Sequence, residues 1–123
     1  MMTIELNHTI VPARNRQEAA EWFSRIFGLA TTGTKGHFAP VRVNDRLTLL
    51  FDNQDSIESH HLAFHVSDQL FDEILHRIKS SGIPFGSGPA HLDDGELNHW
   101  NDGRGVYFKS PDGHILELMT VPQ

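Results

Sequence analysis

The 123-residue sequence contains no cysteine. That absence excludes a disulfide framework, thiolate zinc sites, iron–sulfur clusters and a cysteine nucleophile. Positive charge is scarce: ten Lys and Arg stand against sixteen Asp and Glu, a formal charge of −6, which argues against nucleic acid as a partner. No stretch approaches the roughly 18 consecutive apolar residues of a membrane-spanning helix. The start, Met1-Met2-Thr3-Ile4-Glu5, has neither a basic stretch nor an apolar run, so no secretory leader or membrane partner is expected. The chain reads as soluble and cytoplasmic.

What is present is an ordinary core-forming composition with one excess. Hydrophobic residues make up 38%, and the ten glycines raise the apolar share to about 46%, within the globular range. A chain of this length buries roughly two-thirds of the surface its unfolded form exposes, so one domain over residues 1–123 is expected. The excess is histidine, with nine residues. Histidine is the commonest metal ligand and the usual acid–base group near neutral pH, so the question is which of the nine do chemistry.

Ile4, Leu6, His8 and Ile10 alternate with Glu5, Asn7, Thr9 and Val11, the period of a strand with one buried face, which Pro12 ends. Ala19, Trp22, Phe23, Ile26 and Phe27 then form a helical stripe, with Asn15 and Glu18 as its capping box and Gly28 as its close. Phe38 to Val43 and Leu47 to Phe51 read as two strands around the turn pair Asn44-Asp45. The pattern then recurs. His61 to Val66 is a strand, Ser67 or Asp68 caps a second helix, and Phe71, Ile74, Leu75 and Ile78 are its stripe before Gly82. A Gly-, Asp- and Asn-rich loop runs from about Gly86 to Gly105. Strands Val106 to Lys109 and His114 to Val121 follow, joined by Ser110-Pro111-Asp112-Gly113. The displacement from His8 to His61, 53 residues, relates the halves as an internal repeat. The expected fold is α+β, two β-α-β-β-β modules spanning about 3–52 and 60–121, forming curved mixed sheets around one cleft.

Three strand residues need explaining. His8 shares a face with Ile4, Leu6 and Ile10, and His61 opens the second module. Glu117 lies within Ile115-Leu116-Glu117-Leu118-Met119, where an unpartnered ionised carboxylate costs several kcal/mol. Each alone has a bland account: His8 as a hydrogen-bonded core histidine, His61 as a sheet-edge residue, Glu117 as a partner of Arg42, Arg104 or Lys109. At equivalent positions of a repeat plus the last strand, two histidines and one carboxylate make the ligand set of an open metal site.

These residues carry a resemblance to the vicinal oxygen chelate superfamily, which includes glyoxalase I, extradiol dioxygenases, fosfomycin resistance proteins, methylmalonyl-CoA epimerase and bleomycin resistance proteins. It rests on Leu6-Asn7-His8-Thr9, on Ala20-Glu21-Trp22-Phe23 leading to Phe27-Gly28-Leu29, and on His61-Leu62-Ala63-Phe64-His65-Val66. Its most specific segment runs from Gly105-Val106-Tyr107-Phe108 through Ser110-Pro111-Asp112-Gly113-His114 to Glu117. The resemblance implies the paired-module fold and a divalent metal ion (Fe, Mn, Zn, Ni or Mg) held by His8, His61 and Glu117. It implies a small-molecule substrate bound to that metal through oxygens, and a homodimer in which modules can pair between chains. The closing strand of the first module, Leu47-Thr48-Leu49-Leu50-Phe51, lacks the acid of the four-ligand glyoxalase I site. Sequestering members have lost their metal ligands, whereas this chain keeps all three, so an enzyme is favoured over an antibiotic-sequestering protein.

Two further residues resemble the extradiol dioxygenase signature. His99 stands eight residues before Tyr107 and Tyr107 ten before Glu117, the spacing at which a histidine and a tyrosine line the pocket of ring-cleaving relatives. Ser110 and Leu97 depart from that signature, and Arg46 stands in the stretch where an acid–base histidine is expected. Equally, Tyr107 can pack in the sheet and His99 sit on a mobile loop. Arg104 can bind an anionic substrate group through paired hydrogen bonds, and Trp100 can stack on substrate, though a solvated loop arginine and a covering tryptophan are the blander accounts. His114 is read as support for Glu117.

Overall fold

In the computed structural model, which describes residues 3–123, the chain divides into two units, Met1–Glu58 and Ser59–Gln123. The first holds β1 (His8–Ala13), α1 (Arg16–Phe27), β2 (Phe38–Arg42) and β3 (Thr48–Asn53). Asn15 starts α1 by accepting a hydrogen bond from the Glu18 backbone N–H, and Gly28 ends it at φ 73°, a left-handed conformation that glycine adopts without a Cβ clash. The turn after β2 forms because Asn44 Oδ1 accepts from the N–H groups of Arg46 and Leu47, at 2.8 and 2.9 Å. The sheet order is β1-β3-β2, with β1 parallel and β2 antiparallel to β3.

The second unit holds β4 (His61–His65), α2 (Asp68–Ser80), β5 (Phe85–Gly86), a short 3-10 turn (Trp100–Asp102), β6 (Gly105–Lys109) and β7 (Ile115–Met119). Ser67 caps α2 by accepting from the Leu70 N–H. The sheet order is β4-β7-β6-β5, again with the first strand parallel to the last. Each unit therefore repeats strand, helix, then antiparallel strands returning beside the first, an α+β arrangement of two mixed sheets.

Each sheet buries one face together with its helix. In the first unit Val11, Ala13, Ala39, Val41, Leu49 and Phe51 are buried with Phe23, Ile26 and Phe27 of α1. In the second, Val106, Phe108, Leu116 and Leu118 are buried with Phe71, Ile74, Leu75 and Ile78 of α2. Alternation along a strand then sends His8, Ile10, Thr48 and Leu50 to the opposite face in one unit, and His61, Ala63, Tyr107 and Glu117 to the corresponding face in the other.

Three sequence expectations change. The first strand begins at His8, not Ile4, and its buried residues are Val11, Pro12 and Ala13, whereas Ile4, Leu6 and Ile10 are 103%, 65% and 43% exposed. Alternation predicted two faces correctly but not which one α1 covers. Pro12 lies inside β1 rather than after it, which an edge strand tolerates because one row of its N–H groups needs no ladder partner. Further, the first sheet has three strands where the second has four. Among the described residues, no helix is long and apolar enough to cross a membrane.

Candidate functional site

The site builds outward from Glu117. On β7 its Cα pairs with Ala63 of β4 on one side and Tyr107 of β6 on the other. Paired residues point to the same sheet face, so Tyr107 stands beside the carboxylate. The Ala63 methyl is too short to fill the other side, and His61, two residues before it on the same face, reaches across diagonally. His61 Nε2 lies 2.9 Å from Glu117 Oε1. A carboxylate oxygen accepts, so the imidazole N–H donates. Gln123 Nε2 donates to the other oxygen, Oε2, at 3.3 Å. Glu117 is only 4% exposed, so these contacts replace most of its lost hydration.

Tyr107 is the third member of this cluster. Burial holds its phenol well above the usual range, and a hydrogen bond to the Glu117 carboxylate and that group's negative charge add to the effect. The hydroxyl is therefore a permanent donor at physiological pH. The His61 ring lies 5.7 Å from the Tyr107 ring, and Trp100 meets Tyr107 edge to face at 5.9 Å. Trp100, expected to contact substrate, is thus brought to the cluster while remaining half exposed.

Other expected residues are placed elsewhere. His99 precedes the 3-10 turn, exposed, without a hydrogen bond or ring contact to His61, Tyr107 or Glu117. Arg104, read from the sequence as a substrate contact, commits its guanidinium to α2. It bonds Asp72 Oδ1 at 2.6 Å and Asp68 Oδ1 at 3.1 Å, and lies 4.5 Å from the Phe71 ring centre. Arg104 thereby ties the start of β6 to the helix. His114, read as support for Glu117, bonds the strand that carries His61: its Nδ1 accepts from the His60 backbone N–H at 3.0 Å. That bond fixes the residue before His61.

Two residues with clear roles carried no sequence signal. Gln123 is seen only because the chain after β7 turns back to Glu117. Asn98, 8% exposed, donates to the Ser87 carbonyl at 3.0 Å, and its Oδ1 accepts from the Trp100 N–H at 3.3 Å. It packs so closely on Gly105 that a Cβ there would sit 2.5 Å from Oδ1. Asn98 thus holds the loop that presents Trp100.

One imidazole nitrogen and one carboxylate, meeting on an otherwise apolar sheet, suit a divalent cation of the Fe, Mn, Ni or Zn type. The pair fits two positions of a two-histidine, one-carboxylate set. His8, the third, stands in the first unit on the matching sheet face, exposed, with Nδ1 2.8 Å from Asn7 Oδ1. That contact leaves Nε2 as the nitrogen facing outward. Among the described residues no group of three or more His, Asp or Glu side chains is close enough to hold one ion. The structure brings together His61 and Glu117 of the three. Register also locates the missing acid of the first unit: Ile10 pairs with Leu50 as Ala63 pairs with Glu117, so Leu50 stands where a fourth ligand would be.

Residues 5–118 match the family model described as the Glyoxalase/Bleomycin resistance protein/Dioxygenase superfamily. Among solved structures, one described as Oxidase ChaP-H2 is 39% identical with a TM-score of 0.93, over 98% of this chain and 96% of that one. Another, Oxidase ChaP-H1, is 41% identical with a TM-score of 0.92, over 98% of each chain. A lactoylglutathione lyase from Agrobacterium tumefaciens, 21% identical with a TM-score of 0.68 over 95% of this chain and 92% of that one, shares the fold.

Proposed function

Because the chain belongs to the Glyoxalase/Bleomycin resistance protein/Dioxygenase superfamily, we propose that it is a divalent-metal-dependent enzyme that oxidises a small molecule bound through oxygen. The observation that carries this reading is the His61–Glu117 pair, a buried carboxylate and a half-exposed imidazole set 2.9 Å apart on one face of a sheet. The oxidative assignment is supported by the two oxidases, which share about two-fifths of its residues. His8, His61 and Glu117 would hold the metal. When bound, it supplies a Lewis acid for the substrate oxygens and, if it is iron or manganese, an electron carrier for reaction with dioxygen.

The chain's own residues then have defined tasks. The Tyr107 hydroxyl and the Gln123 amide hold the Glu117 carboxylate in one orientation, which is how outer partners position a ligand. The His114–His60 bond fixes the strand that carries His61. Trp100 covers the edge of Tyr107 and limits water access from that side. We propose that the active form is a homodimer, since the segment before β1 exposes the apolar side chains of Ile4 and Leu6, which a second copy would cover.

Metal content of the purified protein, measured together with oxygen uptake on catechols and other phenols, tests this reading. Bound iron or manganese with substrate-dependent uptake is expected. A redox-inactive metal without uptake would leave a lyase or isomerase. A protein that holds no metal yet binds phenols unchanged in the Glu117→Ala variant would instead be a sequestering module.

A further inference from the structure

The first unit carries a cavity of about 660 Å³ lined by Thr32, Thr34, Lys35, Phe38, Pro40, Arg42, Thr48 and Leu50. Its floor is the sheet face not covered by α1. Register places Pro40 beside Leu50 and Arg42 beside Thr48, and Thr48 beside His8. The cavity therefore adjoins the row that carries His8.

The lining has a definite chemistry. Phe38, Pro40 and Leu50 give an apolar floor, and Thr32, Thr34 and Thr48 add hydroxyls to the lining. Lys35 and Arg42 are its only charged residues, in a chain whose formal charge is −6. The acid one row further along the same face, Asp52, is paired with His37 at 3.3 Å. Arg42 gives one hydrogen bond to the Asp45 carbonyl at 3.0 Å, and its side chain is otherwise exposed. Leu50 is the residue at the position where the second unit has Glu117, so the change that removes a fourth ligand also makes this floor apolar.

We propose that this cavity is the substrate pocket and that it selects a planar aromatic anion, a carboxylate or phenolate. The apolar floor takes the ring, and Lys35 and Arg42 take the negative charge, the guanidinium by paired hydrogen bonds. The identification as substrate pocket rests on His8 being a metal ligand, but the binding chemistry does not. Without Leu50 in place of an acid, the ring would meet a like charge.

The test uses metal-free protein and two probes of one shape, 2-naphthoate and the neutral 2-naphthalenemethanol, with affinities from calorimetry. Naphthoate is expected to bind more tightly than the alcohol by about tenfold or more, and the Lys35→Gln/Arg42→Gln variant to lose that preference. Leu50→Glu is expected to abolish naphthoate binding. All three side chains are exposed or half-exposed, and circular dichroism is the check that the variants fold. Equal binding of the two probes, no binding of naphthoate, or an undiminished preference in the double variant would overturn the proposal. Metal binding is measured separately: its absence alongside selective naphthoate binding would count against the metalloenzyme and not against the pocket.

Discussion

His61 Nε2 and Glu117 Oε1 lie 2.9 Å apart, although 56 residues separate them in the chain. The parallel pairing of β4 with β7 sets this contact, and the small side chain of Ala63 keeps it open. Glu117→Gln keeps the shape of the side chain but removes its charge. Manganese affinity in equilibrium dialysis should fall by more than the roughly 10–100-fold that outer partners of a ligand contribute. Gln123→Ala, which removes only an outer hydrogen bond, should lose about tenfold. If both variants bound manganese as tightly as the parent, the pair would not be a metal site.

His8 is exposed and, among the described residues, its side chain hydrogen-bonds only the neighbouring Asn7, so its removal should hardly affect folding. His8→Ala is expected to change stability by less than about 0.5 kcal/mol in urea unfolding. Its metal affinity should nevertheless drop as far as that of His61→Ala. Unchanged affinity would remove His8 from the ligand set.

Tyr107 is the single tyrosine in the chain, so absorbance at the phenolate band reports on it alone. In metal-free folded protein its ionisation should begin well above pH 10, because burial and the Glu117 carboxylate both favour the neutral phenol. Since the folded pKa lies above the unfolded one, the associated stability is complete below about pH 10 and is lost as pH rises through the folded value. Glu117→Gln should move the transition down only in part, as burial, the larger cause, remains. A transition near pH 10 in the folded parent would contradict this account.

Arg104 links β6 to α2 through two aspartates and the Phe71 ring. The aspartates are largely exposed, at 79% and 65%, so solvent screens the pairs and each contributes little. Arg104→Ala should cost about 1 kcal/mol in all, including the ring contact, while metal affinity stays within twofold of the parent, roughly 0.4 kcal/mol. A large activity loss with unchanged stability would restore the substrate contact expected from the sequence.

His114 is 2% exposed and holds the His60 N–H. Replacing it by alanine leaves that donor without its partner and a gap beside it. A loss of about 2–3 kcal/mol is expected, together with weaker metal binding through the loosened start of β4. Retained affinity at full occupancy would show that His61 needs no such anchor.

The sequence by itself determined the repeat, both helices with their caps, the hairpin at Asn44, and the two-faced alternation of the strands it recognised, since these follow from local spacing and turn chemistry. It also singled out Glu117, because a carboxylate in an apolar strand is costly wherever the strand lies. Tertiary structure decided what spacing cannot express. Alternation does not say which face of β1 a helix covers, and Ile4 and Leu6 proved exposed for that reason. Arg104 looked available until α2 presented two acids to it, and only the turn before β7 brought His114 to the His60 N–H. Gln123 and Asn98 have no pattern of their own, because their roles depend on a backbone that returns to them from far along the chain. Only strand pairing brought His61 to Glu117 and set Leu50 at the matching place in the first unit, since hydrogen-bonded register, not distance along the sequence, fixes which side chains share a face.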